Sequence, residues 1–214
     1  MDTTGQGRLA FEEAFEAVVG RPPDGTVPFA GFTDHQIAVA MLEKAGHAGD
    51  DQVPRMLDEL ATALAARMDE IRHQGRALPG ARQALEALVA RDDVISSLLT
   101  GNVEANAALK LAAFGLDSLV DLEVGGYGSD PHRSRSDLVA VARERASRKY
   151  GSEVSDTVLV GDTPLDVRAA REAGARSVAV ASGPYGLDAL REAGADAVLE
   201  DLRNTPRVLA ALGL

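Results

Sequence analysis

The chain contains no cysteine and no tryptophan. The missing cysteine excludes disulfides and thiolate chemistry. Aromatic residues are only 4% of 214, so any core must be aliphatic, drawn from a hydrophobic content of 45%. No apolar run reaches the roughly 18–20 residues that span a bilayer as a helix. The opening Met1-Asp2-Thr3-Thr4-Gly5 has neither the basic patch nor the apolar stretch of a secretory signal. Lysine is scarce as well, occurring only at Lys44, Lys110 and Lys149, and the net charge is −11. A chain so acidic lacks the positive excess that nucleic acids and anionic membrane surfaces attract. The expectation is a cytoplasmic protein, monomer or homodimer, with neither as a partner. A small anion stays open as a ligand, because one local group of donors is enough to hold it.

The pattern of apolar residues is helical in the first half. Phe11, Phe15, Val18 and Val19 recur at helical spacing. Thr33 with Gln36 three residues on forms a capping box for a helix through Ile37, Met41 and Leu42. A long third helix places Leu57, Leu60, Leu64, Met68 and Ile71 on one stripe, with Pro54 in its first turn. Another begins at Pro79-Gly80.

From residue 93 the period changes. Val94-Ile95-Ser96-Ser97-Leu98-Leu99 reads as a strand, followed by Thr100-Gly101-Asn102 and a helix over about 103–114. Further strands are expected over 119–124, 157–160, 177–181 and 197–199, with helices over about 135–149, after Pro164, near 187–193 and over 204–212. Alternating strands and helices predict an α/β fold with a mostly parallel sheet, in which ligands sit beyond the carboxyl ends of the strands.

Three of those ends carry polar groups. Thr100, Gly101 and Asn102 place a hydroxyl and backbone N–H groups at a helix start, an arrangement suited to an anion; the simpler reading is that Asn102 only caps the helix. Asp162 and Asp166 end the apolar run Val158-Leu159-Val160-Gly161. Two carboxylates there suit a hard cation such as Mg²⁺; the simpler reading is that Asp162 caps the helix and Asp166 favours its positive end. The segment Ser129-Asp130-Pro131-His132-Arg133-Ser134-Arg135 offers guanidinium groups to an anion, or is a solvated loop. His35, His47 and His73 show no metal-ligand spacing. Gly126-Tyr127-Gly128 lacks the third glycine of a dinucleotide fingerprint, Gly5-Gln6-Gly7 lacks the lysine of a P-loop, and no Gly-x-Ser-x-Gly elbow occurs.

The order Leu99-Thr100-Gly101-Asn102, a basic helix start, then Gly161-Asp162-Thr163-Pro164-Leu165-Asp166 followed by Ala-Ala-Arg-Glu-Ala-Gly resembles the haloacid dehalogenase-like superfamily. Its phosphoglycolate-phosphatase-like branch, with a helical cap, is the nearest in pattern. The resemblance covers nearly the whole chain and implies a Rossmann-like core over 1–8 and 79–214 with a helical cap over 9–78. It implies a Mg²⁺-dependent phosphatase acting on a small phosphomonoester. Thr100 and Arg135 would be catalytic, and Thr100, Gly101, Asn102 and Arg135 would hold the phosphoryl group. Arg133 and Lys149 compete with Arg135 for the basic role. Asp162 would bind the metal, with Asp166 supporting it.

The chain departs from the family at the front, where an apolar strand should end in Asp-x-Asp-Gly-Thr and supply the aspartyl nucleophile and the general acid/base. Met1 to Arg8 resembles the segment just downstream of that motif, and Asp2 has no strand before it. Residues 1–214 are therefore expected to lack aspartyl-phosphate chemistry, and the sheet to lack a central strand between those ending at Thr100 and Asp162. Three outcomes are open: a longer natural chain, which is favoured; direct pairing of the two flanking strands; or a strand donated by another chain. Two other functions stay in play, a non-catalytic phosphate- and metal-binding module and a haloacid dehalogenase.

Overall fold

The computed structural model describes residues 1–29, 31–47, 51–130, 134–151, 153–154 and 156–214. The chain divides into two compact units.

The first unit comprises Met1–Arg76, Thr100–Gly115 and Tyr127–Ser129. It is helical: α1 (Gln6–Val19), α2 (Asp34–Lys44), α3 (Val53–Ala66), α4 (Met68–Gln74) and α6 (Glu104–Ala112). Thr33 and Gln36 form the expected capping box at the start of α2, and Pro54 lies in the first turn of α3. The predicted third helix is in fact two, because the backbone turns out of helical geometry at Arg67 (φ −97°, ψ 7°). The apolar stripe survives the break: Leu60, Leu64, Met68 and Ile71 join Phe11, Phe15, Ile37 and Met56 in one aliphatic core. Phe11 meets Phe29 edge-on at 5.3 Å between ring centroids.

The second unit comprises Ala77–Leu99, Leu116–Gly126 and Asp130–Leu214. Its sheet holds β1 (Val158–Gly161), β2 (Arg176–Val180) and β3 (Ala197–Leu199) in the order β1-β2-β3, all parallel. Around it run α5 (Ala81–Val89), α7 (Arg135–Tyr150), α8 (Pro164–Glu172), α9 (Leu187–Glu192) and α10 (Thr205–Leu212). Alternate strand residues serve opposite faces. Val178, Val180 and Leu199 pack with Ala84, Val208 and Leu212. Leu159 packs with Val139, Ala169 and Ala170, and Ala179 with Val167 and Leu190.

Two predicted strands do not form. Over 119–124 the backbone instead makes two short 3-10 turns, Asp117–Leu119 and Leu122–Val124. The Asp121 side chain accepts from the Glu123 backbone N–H and bends the chain out of an extended path. Residues 94–99 make one parallel bridge, Leu99 to Gly126, and no ladder.

The reason lies in what flanks them. Among the described residues β1 pairs with β2 alone, so its other edge carries unpaired backbone groups. A cavity of about 540 Å³ is lined by residues 93–99 and by Asp156, Thr157, Val158, Leu159 and Val160. The two segments have not closed up to pair with each other. A buried parallel strand is normally covered on both sides; here Val160 is 52% exposed and Ile95 39%. Among the described residues no strand lies between them.

Candidate functional site

Thr100, Gly101 and Asn102 belong to the first unit, and Arg135, Asp162 and Asp166 to the second.

In the first unit, Asn102 does not cap α6. The cap position is Val103, with no side-chain bond of its own, and its N–H donates to Asp34 Oδ2 at 2.9 Å. The Asn102 side chain turns back instead. Its Nδ2 donates to Thr100 Oγ1 at 2.7 Å, and its backbone N–H donates to the same oxygen at 3.1 Å. Its Oδ1 accepts from Lys110 Nζ. Both lone pairs of the Thr100 oxygen are thereby engaged, and its own O–H has no acceptor among the described residues.

The turn is closely packed. The Gly101 carbonyl accepts from the Asp34 N–H at 2.7 Å, and Gly128 N–H donates to the Asn102 carbonyl at 2.9 Å. A Cβ on Gly128 would lie 1.9 Å from the Gly101 oxygen, so only glycine fits there.

Two charged residues of this network were not singled out in the sequence. Asp34 is buried, and its carboxylate also takes Asn106 Nδ2 at 3.5 Å. Burial raises its pKa, against the pull of Lys110 and the bond from Val103. Burial lowers that of Lys110, against the attraction of Asp34. A signal for Lys110 was present. It stands four residues after Asn106 and one before Leu111, so it shares the buried stripe of α6.

In the second unit, the loop after β1 is built around Asp166. Thr163, not Asp162, is the N-cap of α8, and Thr163 with Asp166 forms a capping box above Pro164. Asp166 Oδ2 accepts from Asp162 N–H at 3.2 Å, Thr163 N–H at 3.1 Å and Thr163 Oγ1 at 2.8 Å. Its Oδ1 faces Arg135 Nε at 3.1 Å. The buried Nε–H is not aimed at that oxygen and has no hydrogen-bond acceptor among the described residues. The contact is one of charge. A Cβ on Gly161 would lie 2.4 Å from that of Asp166, which explains the glycine between strand and acid.

Asp162 is different. It makes no ion pair among the described residues, and its carboxylate lies where a Cβ on Gly183 would come within 2.4 Å. Desolvation raises its pKa, and the charge of Asp166 adds to the rise.

Lys149 is engaged elsewhere, with Asp121 at 2.8 Å and Glu123 at 2.7 Å. His132 and Arg133 lie outside the described residues. No group of three or more His, Cys, Asp or Glu residues suited to a metal occurs among the described residues. Mg²⁺ does not require one, since it commonly takes one or two carboxylates and completes its shell with water and substrate oxygens. Asp162 fits such a role directly. Asp166, with both oxygens engaged, fits as the group that orients the loop.

The second unit thus carries a parallel sheet with an acid pair, Asp162 and Asp166, just beyond the end of β1. Part of the chain is similar to haloacid dehalogenase-like hydrolases. The HAD-hydrolase-like family model matches residues 136–205. A proposed pyrophosphatase, PpaX, of Caldanaerobacter subterraneus subsp. tengcongensis is 29% identical over 124 residues, 56% of this chain and 54% of that protein. The match thus spans about half the length of that curated relative.

Solved structures are covered more fully. A hydrolase from Pseudomonas syringae is 25% identical with a TM-score of 0.66, covering 96% of this chain and 90% of that one. A β-phosphoglucomutase from Clostridium difficile superposes at TM-score 0.71 with 16% identity, over 99% and 92% of the two chains. A predicted phosphoglycolate phosphatase from Haemophilus somnus gives 0.65 with 18% identity, over 97% and 92%. The last two likenesses are of fold.

Proposed function

We propose that this chain is a phosphatase-type hydrolase frame that binds a small phosphomonoester and Mg²⁺. Thr100 donates its hydroxyl to a phosphoryl oxygen, with the Gly101 N–H beside it and Asn102 holding the hydroxyl in place. Asp162 holds the cation and Asp166 orients the loop that carries it. Arg135 stands beside Asp166 and adds positive charge to the loop that carries Asp162. When bound, Mg²⁺ neutralises phosphoryl charge and helps to fix the substrate's orientation. The helical residues 9–78 are the cap in this reading, and 1–8 with 79–214 the core.

The observation that carries the reading is the state of the Thr100 hydroxyl. Its oxygen already accepts two hydrogen bonds, and its own proton has no acceptor among the described residues. That disposition suits an anion and is wasted on a cap.

Residues 1–214 contain no Asp-x-Asp pair anywhere. Aspartyl-phosphate formation therefore has no nucleophile in this stretch, and the frame binds without turning over. The test is calorimetric titration with inorganic phosphate and Mg²⁺, alongside an assay of aryl phosphate hydrolysis. Saturable binding without hydrolysis supports the reading. Hydrolysis by residues 1–214 that disappears in Asp162→Ala would show that the frame turns over after all.

A further inference from the structure

We propose that Lys110 is a positioning residue, which fixes the side-chain amide of Asn102 and thereby makes Thr100 an obligate hydrogen-bond donor. This rests on the reading of Thr100 as the group that meets a phosphoryl oxygen.

The argument is one of donor and acceptor inventory. A lysine ammonium has three donors and no acceptor, whereas an asparagine amide has one end of each kind and can turn either way. Lys110 Nζ meets the oxygen end of Asn102. The nitrogen end is therefore committed to Thr100, where it donates at 2.7 Å. The Asn102 backbone N–H adds a second donor to the same oxygen at 3.1 Å. A hydroxyl has two lone pairs and one proton. With both lone pairs taken, the proton is all that Thr100 can offer a ligand.

With the amide reversed, the Asn102 oxygen would face Thr100 and accept its proton. The hydroxyl would then satisfy itself internally and present a lone pair outward, where it would repel an anion. Lys110 decides between these two states without touching the ligand. Its carbon stem comes from the buried stripe of α6, and its ammonium group lies beside Gly7.

Lys110→Met keeps the stem and removes the donors. Asn102→Asp keeps an acceptor for Lys110 and removes the donor to Thr100. Both variants are expected to lose about tenfold in affinity for inorganic phosphate, the scale of one hydrogen bond to a charged group. Circular dichroism confirms the fold of each. The second readout is the pair of side-chain amide resonances of Asn102 in a ¹⁵N-correlated spectrum. In the wild-type chain the two protons are distinct and protected from exchange; in Lys110→Met they lose protection. Lys110→Arg, which can only donate, restores both readouts at least in part.

A general loosening of α6 would lower stability without altering the amide pair selectively. Unchanged Asn102 amide resonances in Lys110→Met overturn the proposal, as does unchanged phosphate affinity in a variant whose amide has moved. If the wild-type chain binds no phosphate, the reading of Thr100 fails instead, and the amide spectrum still decides whether Lys110 sets the orientation of Asn102.

Discussion

Arg135 Nε lies 3.1 Å from Asp166 Oδ1, while the other oxygen of Asp166 gathers the Asp162 and Thr163 N–H groups and the Thr163 hydroxyl. One carboxylate therefore closes the loop after β1, caps α8 and holds a guanidinium near the end of a strand. The loop's shape and its charge are set by the same side chain.

Asp166→Ala removes the capping box and leaves three donors without their acceptor. The expected cost is about 2 kcal/mol of stability, from the cap and the charge-assisted bonds together. Urea unfolding of the two chains measures it. Asp166→Asn keeps one acceptor oxygen and is expected to lose less.

Gly128→Ala puts a methyl group 1.9 Å from the Gly101 oxygen. The backbone must move, at an expected cost of about 1–3 kcal/mol, as in other overpacked sites. The turn at Thr100 moves with it, so phosphate affinity falls in the same variant. Thermal unfolding and phosphate titration together check this.

The buried Asp34 and Lys110 give stability two pH-dependent components. Burial lowers the pKa of Lys110, so between that lowered value and about 10.4 the unfolded chain binds more protons and stability rises with pH. Burial raises that of Asp34 above 3.8, so between 3.8 and the raised value the folded chain binds more protons and stability falls as pH rises. Denaturant midpoints across pH should show both slopes. Lys110→Met is expected to remove the alkaline rise and Asp34→Asn the acidic fall.

The free edge of β1, with Val160 52% exposed, offers unpaired backbone and an apolar side chain to other molecules. Such edges promote self-association, and a charged residue blunts them. Val160→Lys should lower the tendency to aggregate in light scattering at high protein concentration. Its effect on unfolding should stay within about 0.5 kcal/mol, as for other exposed positions.

Most of the architecture was legible in the sequence because local rules agreed with the fold. Thr33 and Gln36 announced α2, Pro54 and Pro164 fell in first helical turns, and β1 followed from its aliphatic run. What failed had physical causes. Arg67 breaks the predicted third helix although its apolar stripe continues, so periodicity alone could not show the break. Residues 94–99 have strand composition but no neighbour on one side, and a ladder needs a partner that composition cannot supply. Asp121 bends the next segment through a bond to its own backbone. At the candidate site, the sequence marked Thr100, Asn102, Asp162 and Asp166. It did not reveal that Asn102 turns away from the cap, that Thr163 takes that task at α8, or that Lys110 and Asp34 stand behind Thr100. The first two turn on which local side chain takes the cap, and the last joins residues far apart in the chain, such as Asp34 and Val103.

The most direct measurement is titration of the wild-type chain and of Thr100→Val with inorganic phosphate in the presence of Mg²⁺. Saturable binding by the wild-type chain, weakened about tenfold or more in Thr100→Val, is the predicted result. Equal affinity in the two chains would contradict the account, because the hydroxyl of Thr100 would then have no part in holding the anion.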